Sequence, residues 1–506
     1  MNKVKHHLNE YLEALKALKL IESTNVDPKV GRLMVENLTY DSRRVTEGTL
    51  FICKGARFKE EFLLSSIESG AFCYVSDRRY NVDEEVPYII VKDIRRAIAV
   101  LANIYYNKVW EKLKTVGITG TKGKSTTAYF VKNILDKYAE AMGKKPCGVL
   151  SSIQNYDGVI DEESHLTTPE TLELHEHFEH MVETGIENAV MEVSSQALKY
   201  DRTYGITYDV GAFLNIGEDH ISSIEHKDFE DYFTSKLRLF EQCHTLVVNR
   251  FSDEWNRVIA AAAASGAYTV VFGRDETCDV YGYDIKHSPE GIKFKCRTDR
   301  FDEEYSIALP GDFNVDNALA AIAICEALDV PLPYIKAGLA DAKVSGRMEL
   351  FRSKDGKVTV VVDYAHNKLS FETLFKAMKE EYPNHCISIV FGCPGGKAPG
   401  RRRELGEVAG VYSDMIYLTE EDAAMESVAA ICEEIAGHLR PMGAKFEIIE
   451  DRRQAVLRAI RDAAEEDGNT LILVTGKGRE TRMKRGTEYI DTPSDVDYVQ
   501  EGLSKL

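Results

Sequence analysis

The sequence lacks three features that would each point to a particular class of protein. Its 506 residues carry no excess of positive charge, no apolar run long enough to cross a bilayer, and no CxxC pair among ten scattered cysteines. The net charge of −19 argues against a general binder of nucleic acid or membrane surfaces. The charged, amphipathic start of the chain is neither a signal peptide nor a membrane span. Scattered cysteines favour reduced thiols over a disulfide framework or a zinc site. We therefore expect a cytoplasmic protein without membrane insertion or a nucleic-acid partner.

What is present is the composition of a multidomain globular protein. The chain is 44% hydrophobic and 29% charged, which is ordinary for a folded protein. Its length exceeds what one hydrophobic core can hold, so two to four domains are expected.

The strongest single motif is a glycine loop between a predicted strand and a predicted helix. An apolar run over 116–118 indicates the end of a buried strand, and residues 128–135 have apolar side chains at helical spacing. The loop between them reads Gly120, Thr121, Lys122, Gly123, Lys124, Ser125 and Thr126. This order forms a phosphate cradle, with Lys124 reaching the β- and γ-phosphates and Ser125 holding Mg²⁺. Because Ile118 replaces its first glycine, the motif is a variant P-loop, and a glycine turn without a nucleotide is the alternative.

Polar residues occur at the ends of two other predicted strands in this region. The strand over 189–193 contains Glu192, and the strand over 210–214 is followed by His220. Ligands bind at strand ends in open α/β sheets, so Glu192 and His220 are candidate metal ligands. A surface carboxylate and a loop histidine are the alternatives.

Two helical segments carry further polar candidates. Residues 229–243 predict a helix with Lys236 beside its apolar stripe, a position where lysine usually extends its ammonium to solvent. Asn314 and Asn317 precede a helix predicted over 318–328, and their spacing of three puts both on one helical face. Helix capping is the alternative for these asparagines.

The pattern of elements is α/β and divides the chain into three regions. Residues 1–111 predict a small N-terminal domain, 112–345 a central P-loop domain, and 346–506 a second doubly wound α/β domain. In the last region, the basic segment 476–486 indicates an anion contact, with a solvated charged loop as the alternative.

Eleven short motifs occur in a fixed order along the chain. They are YDSR at 40–43, GTKGKST at 120–126, TTP at 167–169, MEVSS at 191–195, NIGEDH at 215–220, Lys236 in SKLRLF, GDFNVDN at 311–317, SGRME at 345–349, DYAHN at 363–367, FGC at 391–393 and GKGRE at 476–480. Together they resemble the Mur ligase family, and within it the UDP-N-acetylmuramoyl-tripeptide synthetases, over nearly the whole chain.

The resemblance implies a fold and a reaction. It implies a UDP-binding N-terminal domain, a central ATPase domain and a C-terminal Rossmann-like domain that brings the incoming amino acid. It implies an enzyme that adds an amino acid to UDP-N-acetylmuramoyl-L-Ala-D-Glu in peptidoglycan precursor synthesis, and we expect this enzyme to be a monomer. ATP and Mg²⁺ are required, and the peptide carboxylate is activated as an acyl phosphate.

The resemblance also implies roles for the residues at matching positions. The catalytic residues would be Lys124, Glu192, His220 and Lys236. Mg²⁺ would be held by Ser125, Glu192, His220 and a carbamylated Lys236. ATP would contact the glycine loop 120–126 together with Asn314, Asn317, Arg347 and Asp363. UDP-muramoyl-dipeptide would contact Ser42, Thr167, Thr168, Ser194 and Arg202. The incoming amino acid would contact Lys397, Gly476 and Glu480.

The sequence departs from the family pattern where the amino acid is selected. The enzymes that add diaminopimelate have Asp-Asn-Pro-Arg, whose arginine receives the distal carboxylate. The aligned positions here hold Glu421, Asp422, Ala423 and Ala424. Glu421 and Asp422, if they point inward, attract an ammonium, so we predict a preference for L-lysine, then L-ornithine, over meso-diaminopimelate. The alternatives are that both carboxylates are solvated, or that Arg479 or Arg482 supplies the missing cation.

Two other functions are open at this point. One is a ligase on the same scaffold, of the folylpolyglutamate or cyanophycin type, although the YDSR region disfavours a folate enzyme. The other is a non-catalytic nucleotide-binding regulator, against which the residues Lys124, Ser125, Glu192, His220 and Lys236 argue.

Overall fold

The computed structural model describes residues 4–55, 58–217, 225–288, 291–397 and 399–506. The chain forms two compact units, one of Met1–Val280 with Ala320–Gly338 and the other of Tyr281–Leu319 with Leu339–Leu506. The three-domain division predicted from the sequence stays a prediction. Within the described ranges, every helix is too short or too polar to cross a membrane.

The first unit begins with a five-stranded sheet. Its elements are α1 (Leu8–Ala17), β1 (Ile21–Thr24), β2 (Asn37–Thr39), β3 (Thr49–Ile52), α2 (Glu60–Glu68), β4 (Ala71–Ser76), β5 (Tyr88–Val91) and α3 (Ile94–Tyr105). The strand order is β1-β5-β4-β3-β2. The motif YDSR follows β2 and contributes a 3₁₀ turn, Ser42–Arg44, which Asp41 caps by accepting a hydrogen bond from the Arg43 N–H.

A larger sheet follows in the same unit. Its elements are β6 (Lys114–Thr119), α4 (Lys124–Ala141), β7 (Gly148–Leu150), β8 (Gln154–Tyr156), β9 (Asp161–Glu163), α5 (Thr171–Thr184), β10 (Asn188–Glu192), α6 (Ser195–Lys199), β11 (Tyr208–Phe213), α7 (Phe229–Leu237), β12 (Cys243–Asn249), α8 (Trp255–Ser265) and β13 (Tyr268–Gly273). The strands lie in the order β13-β12-β11-β6-β10-β7-β8-β9. Strand β6 pairs in parallel with β10 and β11, so the carboxyl ends of all three strands meet at one edge.

The helix predicted over 229–243 is shorter than its apolar pattern indicates. Helix α7 ends at Leu237, and a 3₁₀ turn covers Arg238–Gln242. Strand β12 then begins at Cys243, which pairs with Tyr208 of β11. Pairing with the sheet therefore takes the end of the segment out of the helix, a tertiary contact that local periodicity does not report.

The remaining elements belong largely to the second unit. They are β14 (Val280–Ser288), β15 (Gly291–Arg297), β16 (Asp302–Ile307), α9 (Phe313–Ala327), α10 (Leu332–Ala340), β17 (Glu349–Arg352), β18 (Val358–Asp363), α11 (Lys368–Glu381), β19 (Cys386–Phe391), α12 (Gly400–Tyr412), β20 (Met415–Leu418), α13 (Val428–Leu439), β21 (Phe446–Ile448), α14 (Arg452–Glu465), β22 (Thr470–Thr475), β23 (Arg482–Arg485), β24 (Glu488–Asp491) and α15 (Asp495–Ser504). The six-stranded sheet has the order β17-β18-β22-β19-β20-β21 and is parallel except at β17.

Separate apolar clusters cover the two faces of this six-stranded sheet. Helices α11, α12 and α13 contribute to one cluster, and α14 and α15 contribute to the other. This is the doubly wound arrangement predicted from the sequence. Because β22 lies between β18 and β19, the loops that follow β18, β20 and β22 share one edge of the sheet.

Candidate nucleotide and substrate sites

The glycine loop lies at the carboxyl end of β6 and is anchored by Asn215, which follows β11. The Thr121 N–H donates to the Asn215 carbonyl at 3.1 Å, and the Lys122 N–H donates to Asn215 Oδ1 at 2.8 Å. Asn215 Nδ2 in turn donates to the Lys122 carbonyl at 3.1 Å. Gly123 has φ +84°, a conformation that favours glycine, and directly precedes α4. Asn215 belongs to the NIGEDH motif, but the motif alone does not indicate this anchoring.

Two lysines converge on one carbonyl of the loop. Lys124 Nζ donates to the Gly120 carbonyl at 2.9 Å and to the Thr121 carbonyl at 3.2 Å. Lys236 Nζ donates to the same Gly120 carbonyl at 2.9 Å, and only 1% of the Lys236 residue is exposed. The alternative in which Lys236 extends to solvent is therefore wrong. Two cationic groups lie at the start of the phosphate-binding motif.

Ser125 and Glu192 are connected through Ser152, which was not among the predicted site residues. Ser125 Oγ lies 3.0 Å from Ser152 Oγ, and Ser152 donates to Glu192 Oε1 from its N–H at 2.9 Å and its hydroxyl at 3.1 Å. Glu192 is 1% exposed, so it is not the surface carboxylate of the alternative interpretation. These oxygens are of the type that Mg²⁺ prefers. The third predicted ligand, His220, lies outside the described residues.

Three of the predicted muramoyl-peptide residues lie together, next to Glu192. The Thr168 hydroxyl donates to the Glu192 carbonyl at 2.9 Å and accepts from the Ser194 N–H at 3.0 Å. Arg202 Nη1 donates to the Thr168 carbonyl at 3.1 Å. Ser194 also caps α6 through its side chain. Thr167 is half-buried next to Thr168, whereas Ser42 lies half-buried in the 3₁₀ turn after β2.

An additional charged group lies next to these residues. Glu170 Oε1 is 2.6 Å from Arg202 Nη2, and Glu170 also pairs with Lys54. Burial opposes ionisation of Glu170, but the charges of Arg202 and Lys54 outweigh it and hold the pKa of this carboxyl below its ordinary value. A substrate anion that displaced Glu170 would pair with Arg202 and Lys54. Lys54 was not predicted, because a lone lysine after a strand gives no signal.

Asn314 and Asn317 are brought together in the second unit. Asn317 Nδ2 donates to Asn314 Oδ1 at 3.0 Å, and Asn314 Nδ2 donates to the Pro310 carbonyl at 2.6 Å. Both side chains are buried. Helix α9 begins at Phe313, so the asparagines lie inside the helix and not at its cap, which removes the capping alternative.

Four other predicted residues lie around the ends of β18 and β22. The Arg347 guanidinium carbon is 4.5 Å from the centroid of the Tyr364 ring, and the Tyr364 hydroxyl donates to Glu480 Oε1 at 2.6 Å. The Gly476 N–H donates to the Asp363 carbonyl at 3.2 Å. Tyr364 therefore connects a predicted nucleotide contact to a predicted amino-acid contact. Lys397 is exposed on the loop after β19.

Glu421 points inward, toward Gly476. It is 7% exposed, and a Cβ at position 476 would lie 2.3 Å from Glu421 Oε2. Burial raises the pKa of Glu421 to about 8, although Arg452 and Lys477 oppose the shift. Asp422 Oδ1, in contrast, accepts from Lys477 Nζ at 3.1 Å. The solvated alternative is therefore wrong for Glu421, and the charge of Asp422 is compensated by Lys477.

The basic segment 476–486 is paired with carboxylates of its own unit. Arg479 Nε donates to Glu349 Oε1 at 2.7 Å, and Arg485 Nη2 donates to Glu420 Oε1 at 2.6 Å. The Arg482 guanidinium carbon lies 4.8 Å from the Tyr489 ring centroid. The segment therefore contributes to packing around the sheet edge.

A buried ion pair fixes the loops at this edge. Arg452 Nε is 2.7 Å from Asp495 Oδ1, and these residues are 2% and 1% exposed. Arg452 also donates to the Thr475 carbonyl at 2.6 Å and to the Glu420 carbonyl at 3.1 Å. The Arg452 guanidinium therefore holds Thr475 and Glu420, the residues that directly precede Gly476 and Glu421.

Comparison with known proteins gives consistent results. Residues 118–325 match the Mur ligase middle domain, and residues 346–478 match the Mur ligase, glutamate ligase domain. The chain is 37% identical to a UDP-N-acetylmuramoyl-L-alanyl-D-glutamate--L-lysine ligase of Streptococcus thermophilus, covering 92% of this chain and 93% of the relative. It is 33% identical to the corresponding 2,6-diaminopimelate ligase of Clostridium perfringens, covering 92% and 95%.

A solved structure of a UDP-N-acetylmuramoyl-L-alanyl-D-glutamate--2,6-diaminopimelate ligase shows the same fold. It aligns with a TM-score of 0.68 and 21% identity, covering 99% of each chain. The P-loop sheet, the doubly wound second sheet and these similarities define an ATP-dependent ligase that forms amide bonds. The chain belongs to the Mur ligase family. Mur ligases use ATP and Mg²⁺ in peptidoglycan precursor synthesis.

Proposed function

We propose that this chain joins L-lysine to UDP-N-acetylmuramoyl-L-alanyl-D-glutamate at the expense of ATP. The observation that carries the choice of lysine is the buried Glu421 carboxylate next to Gly476. The similarity to the Streptococcus thermophilus L-lysine ligase supports the same choice. The ten cysteines are all free thiols, which supports action in the cytoplasm. We also expect the chain to act as a monomer.

The reaction takes place in two displacements. The peptide carboxylate attacks the γ-phosphorus of ATP, so a new O–P bond forms, the bond to the β-phosphate bridge breaks, and ADP leaves. The amine of lysine then attacks the carbonyl of the acyl phosphate. A C–N bond forms, the C–O bond to phosphate breaks, and the amine proton passes to solvent. The first step brings two anionic groups together, and in the second step attack by the neutral amine places negative charge on the carbonyl oxygen, so the site must supply positive charge.

The P-loop residues would supply this charge. We assign the loop 120–126 to the ATP phosphates and Lys124 to the transferring phosphoryl group. Ser125, Glu192 and His220 would hold Mg²⁺, and the hydrogen-bonded chain Ser125–Ser152–Glu192 supports an oxygen-rich site. Mg²⁺ supplies neutralisation of the phosphate charge when it is bound.

We propose that Lys236 reacts with CO₂ to give a carbamate that holds a second Mg²⁺. The ammonium first loses a proton, and the neutral amine nitrogen then bonds to the CO₂ carbon and releases a second proton, so a cation becomes an anionic oxygen ligand. The burial of Lys236 and its contact with the Gly120 carbonyl support this assignment. An unmodified ammonium at that position would repel the metal.

The remaining assignments follow the geometry within each unit. We assign Thr167, Thr168, Ser194, Arg202 and Ser42 to the UDP-muramoyl-dipeptide, and the cations of Arg202 and Lys54 support an anionic ligand. We assign Asn314, Asn317, Arg347 and Asp363 to the nucleotide. Lys397, Gly476 and Glu480 would contact the amino acid.

The preference for lysine follows from which charges are already compensated. Asp422 is paired with Lys477, so it is not the first choice as a partner for a distal ammonium of the amino acid. Arg479 is paired with Glu349, so it is not the first choice as a partner for a distal carboxylate. Glu421 lacks a comparably close cation among its described contacts, and its Oε2 lies next to Gly476, where a side chain would leave no room. An ammonium next to Glu421 would favour the ionised form of this carboxyl and pair with it, whereas a second carboxylate would disfavour ionisation and would itself be buried without a cation.

Phosphate release would test this function. The purified chain is given ATP and Mg²⁺, alone or with UDP-muramoyl-dipeptide, L-lysine or both, and the product mass is measured. We expect release only with both substrates and a product heavier by one lysine residue. Release with a folate and glutamate instead would indicate the other ligase type, and the absence of substrate-dependent release would indicate a regulator.

A further inference from the structure

One carboxylate and two imidazoles converge in the first unit, on residues to which the ligase reaction gives no role. Asp157 follows β8, and His177 and His180 lie on α5. Asp157 Oδ2 is 2.7 Å from His177 Nδ1 and 2.8 Å from His180 Nδ1. All three atoms lie within 4.8 Å of one another. Three possible metal-ligand atoms therefore share one small volume.

The turn after β8 fixes the carboxylate. The Asp157 side chain is fully buried, and its other oxygen, Oδ1, accepts hydrogen bonds from the Val159 N–H at 2.9 Å and the Ile160 N–H at 2.6 Å. Gly158 has φ +89°, and a Cβ there would lie 2.4 Å from Thr184 Oγ1 at the end of α5. The backbone therefore holds one carboxylate oxygen and leaves Oδ2 to the two rings.

The two histidines reach this oxygen from one face of α5. They are three residues apart, a spacing that places side chains on the same face of a helix. The His177 side chain is 8% exposed and the His180 side chain 21% exposed, so solvent reaches the cluster from the side of His180. Both rings present Nδ1 to the same point.

We propose that Asp157, His177 and His180 form a binding site for a divalent transition metal, with Zn²⁺ as the best match. Two imidazoles and one carboxylate are a ligand set of zinc sites with three protein ligands and a water in the fourth position. Mg²⁺ prefers oxygen ligands and is a poor match. Ligands about 2.0–2.1 Å from a tetrahedral ion are roughly 3.3 Å apart. The two imidazole nitrogens, at 2.7 and 2.8 Å from Asp157 Oδ2, would therefore each move about half an ångström away from that oxygen.

A metal here would join two segments that flank the substrate residues. Asp157 belongs to the β8–β9 turn, and Ser152, which donates to Glu192, lies just before β8. The first turn of α5 carries Glu173, which accepts a hydrogen bond from Tyr40. The ion would therefore fix the hairpin on α5, and it would be separate from the Mg²⁺ expected at Ser125.

Titration of the full-length chain with Co²⁺ and Zn²⁺ would test the site. The protein is first treated with a chelator and then kept in excess Mg²⁺ to occupy oxygen-rich sites. We expect one Co²⁺ per chain with the visible absorption of a tetrahedral nitrogen–oxygen site, displacement by Zn²⁺, and a rise in Tm. His177→Ala and His180→Ala should each weaken metal binding at least about 100-fold. Removing a residue that only contacts a metal ligand usually weakens binding by about 10- to 100-fold, and removing the ligand itself should weaken it more. His244→Ala, at an exposed histidine on β12, should bind as the unmodified chain does.

Three results would overturn the proposal. They are the absence of stoichiometric binding, full binding in both the His177 and His180 variants, and a thiolate-to-cobalt charge-transfer band, which would indicate a cysteine site. Metal-free Tm values and circular dichroism establish that the variants are folded. If His177→Ala does not fold, the partly exposed His180→Ala decides the question with the same measurements.

Discussion

The ammonium of Lys236 donates a hydrogen bond to the Gly120 carbonyl at 2.9 Å, although the two residues are 116 positions apart in the sequence. Helix α7 thereby places a buried lysine directly at the P-loop. A surface lysine would contribute little to catalysis or stability, whereas a buried amine next to the proposed phosphate-binding loop alters the charge at that loop. Any chemical change of this amine would therefore change the charge next to Gly120.

Replacement of Lys236 tests whether its amine becomes a metal ligand. Lys236→Ala should lose most ligase activity because the carbamate oxygens are lost, and acetate should restore part of it. Incubation of the unmodified chain with ¹³C-labelled CO₂ should give a carbamate signal that is absent in the variant. Lys144→Ala, at an exposed lysine paired with Glu187, is the control and should keep full activity. Full activity in Lys236→Ala would show that the amine has no catalytic role.

The P-loop assignment predicts large losses from two single substitutions. Lys124→Ala and Ser125→Ala should each lower kcat by at least about 100-fold, because charge stabilisation at a transferring group is worth several kcal/mol. Circular dichroism and Tm should stay close to those of the unmodified chain. Turnover within a few-fold of normal in either variant would contradict the assignment.

Glu421 should make stability depend on pH. Its pKa is about 8 in the folded chain against an ordinary 4.5, so the folded state keeps a proton that the unfolded state has lost. The free energy of unfolding therefore falls as pH rises from about 4.5 through about 8, and the contribution of Glu421 to this slope is up to roughly 1.4 kcal/mol per pH unit.

The comparison of two variants isolates this effect. Glu421→Gln cannot ionise, so its Tm relative to the unmodified chain should rise between pH 5 and 8 and then stay constant. Glu380→Gln, at an exposed position on α11, should show a constant difference. A Glu421→Gln difference that does not change with pH would mean that the carboxylate is not buried as described.

The buried pair of Arg452 and Asp495 should stabilise the second unit. Removing one partner leaves an uncompensated buried charge, so Asp495→Ala should lower the free energy of unfolding by about 3–5 kcal/mol. Urea unfolding measures this value. Because Arg452 also holds the Thr475 and Glu420 carbonyls, Arg452→Ala should in addition raise the KM for lysine. The exposed pair of Arg453 and Glu501 is the control, and Arg453→Ala should cost less than about 1 kcal/mol. Equal costs for the two pairs would contradict the expected effect of burial.

The sequence predicted the strands and the glycine loop well because their signals are local. The apolar runs over 116–118, 189–193 and 210–214 correspond to β6, β10 and β11, and the loop motif requires a particular backbone. The end of α7 was not predictable in this way, because Cys243 is drawn into β12 by pairing with β11. Local periodicity does not contain that contact.

The residues of the candidate site were likewise predictable only where their sequence signal is local. Glu192 and Ser125 could be selected because they stand at a strand end and in a motif, but Ser152 between them carries no motif of its own. Asp157 and His180 were missed for the same reason, although the histidine-rich run over 175–180 is a signal that could have drawn attention to α5. Residues that act through a third side chain become visible only when the fold brings them together.

Steady-state kinetics with three amino acids test the central claim most directly. The full-length chain, UDP-muramoyl-dipeptide, ATP and Mg²⁺ are held constant, and kcat/KM is measured for L-lysine, L-ornithine and meso-diaminopimelate. We predict that L-lysine has the highest value, exceeding meso-diaminopimelate by about ten- to hundred-fold, and that Glu421→Gln removes most of this difference. A kcat/KM for meso-diaminopimelate equal to or above that for L-lysine would contradict the account.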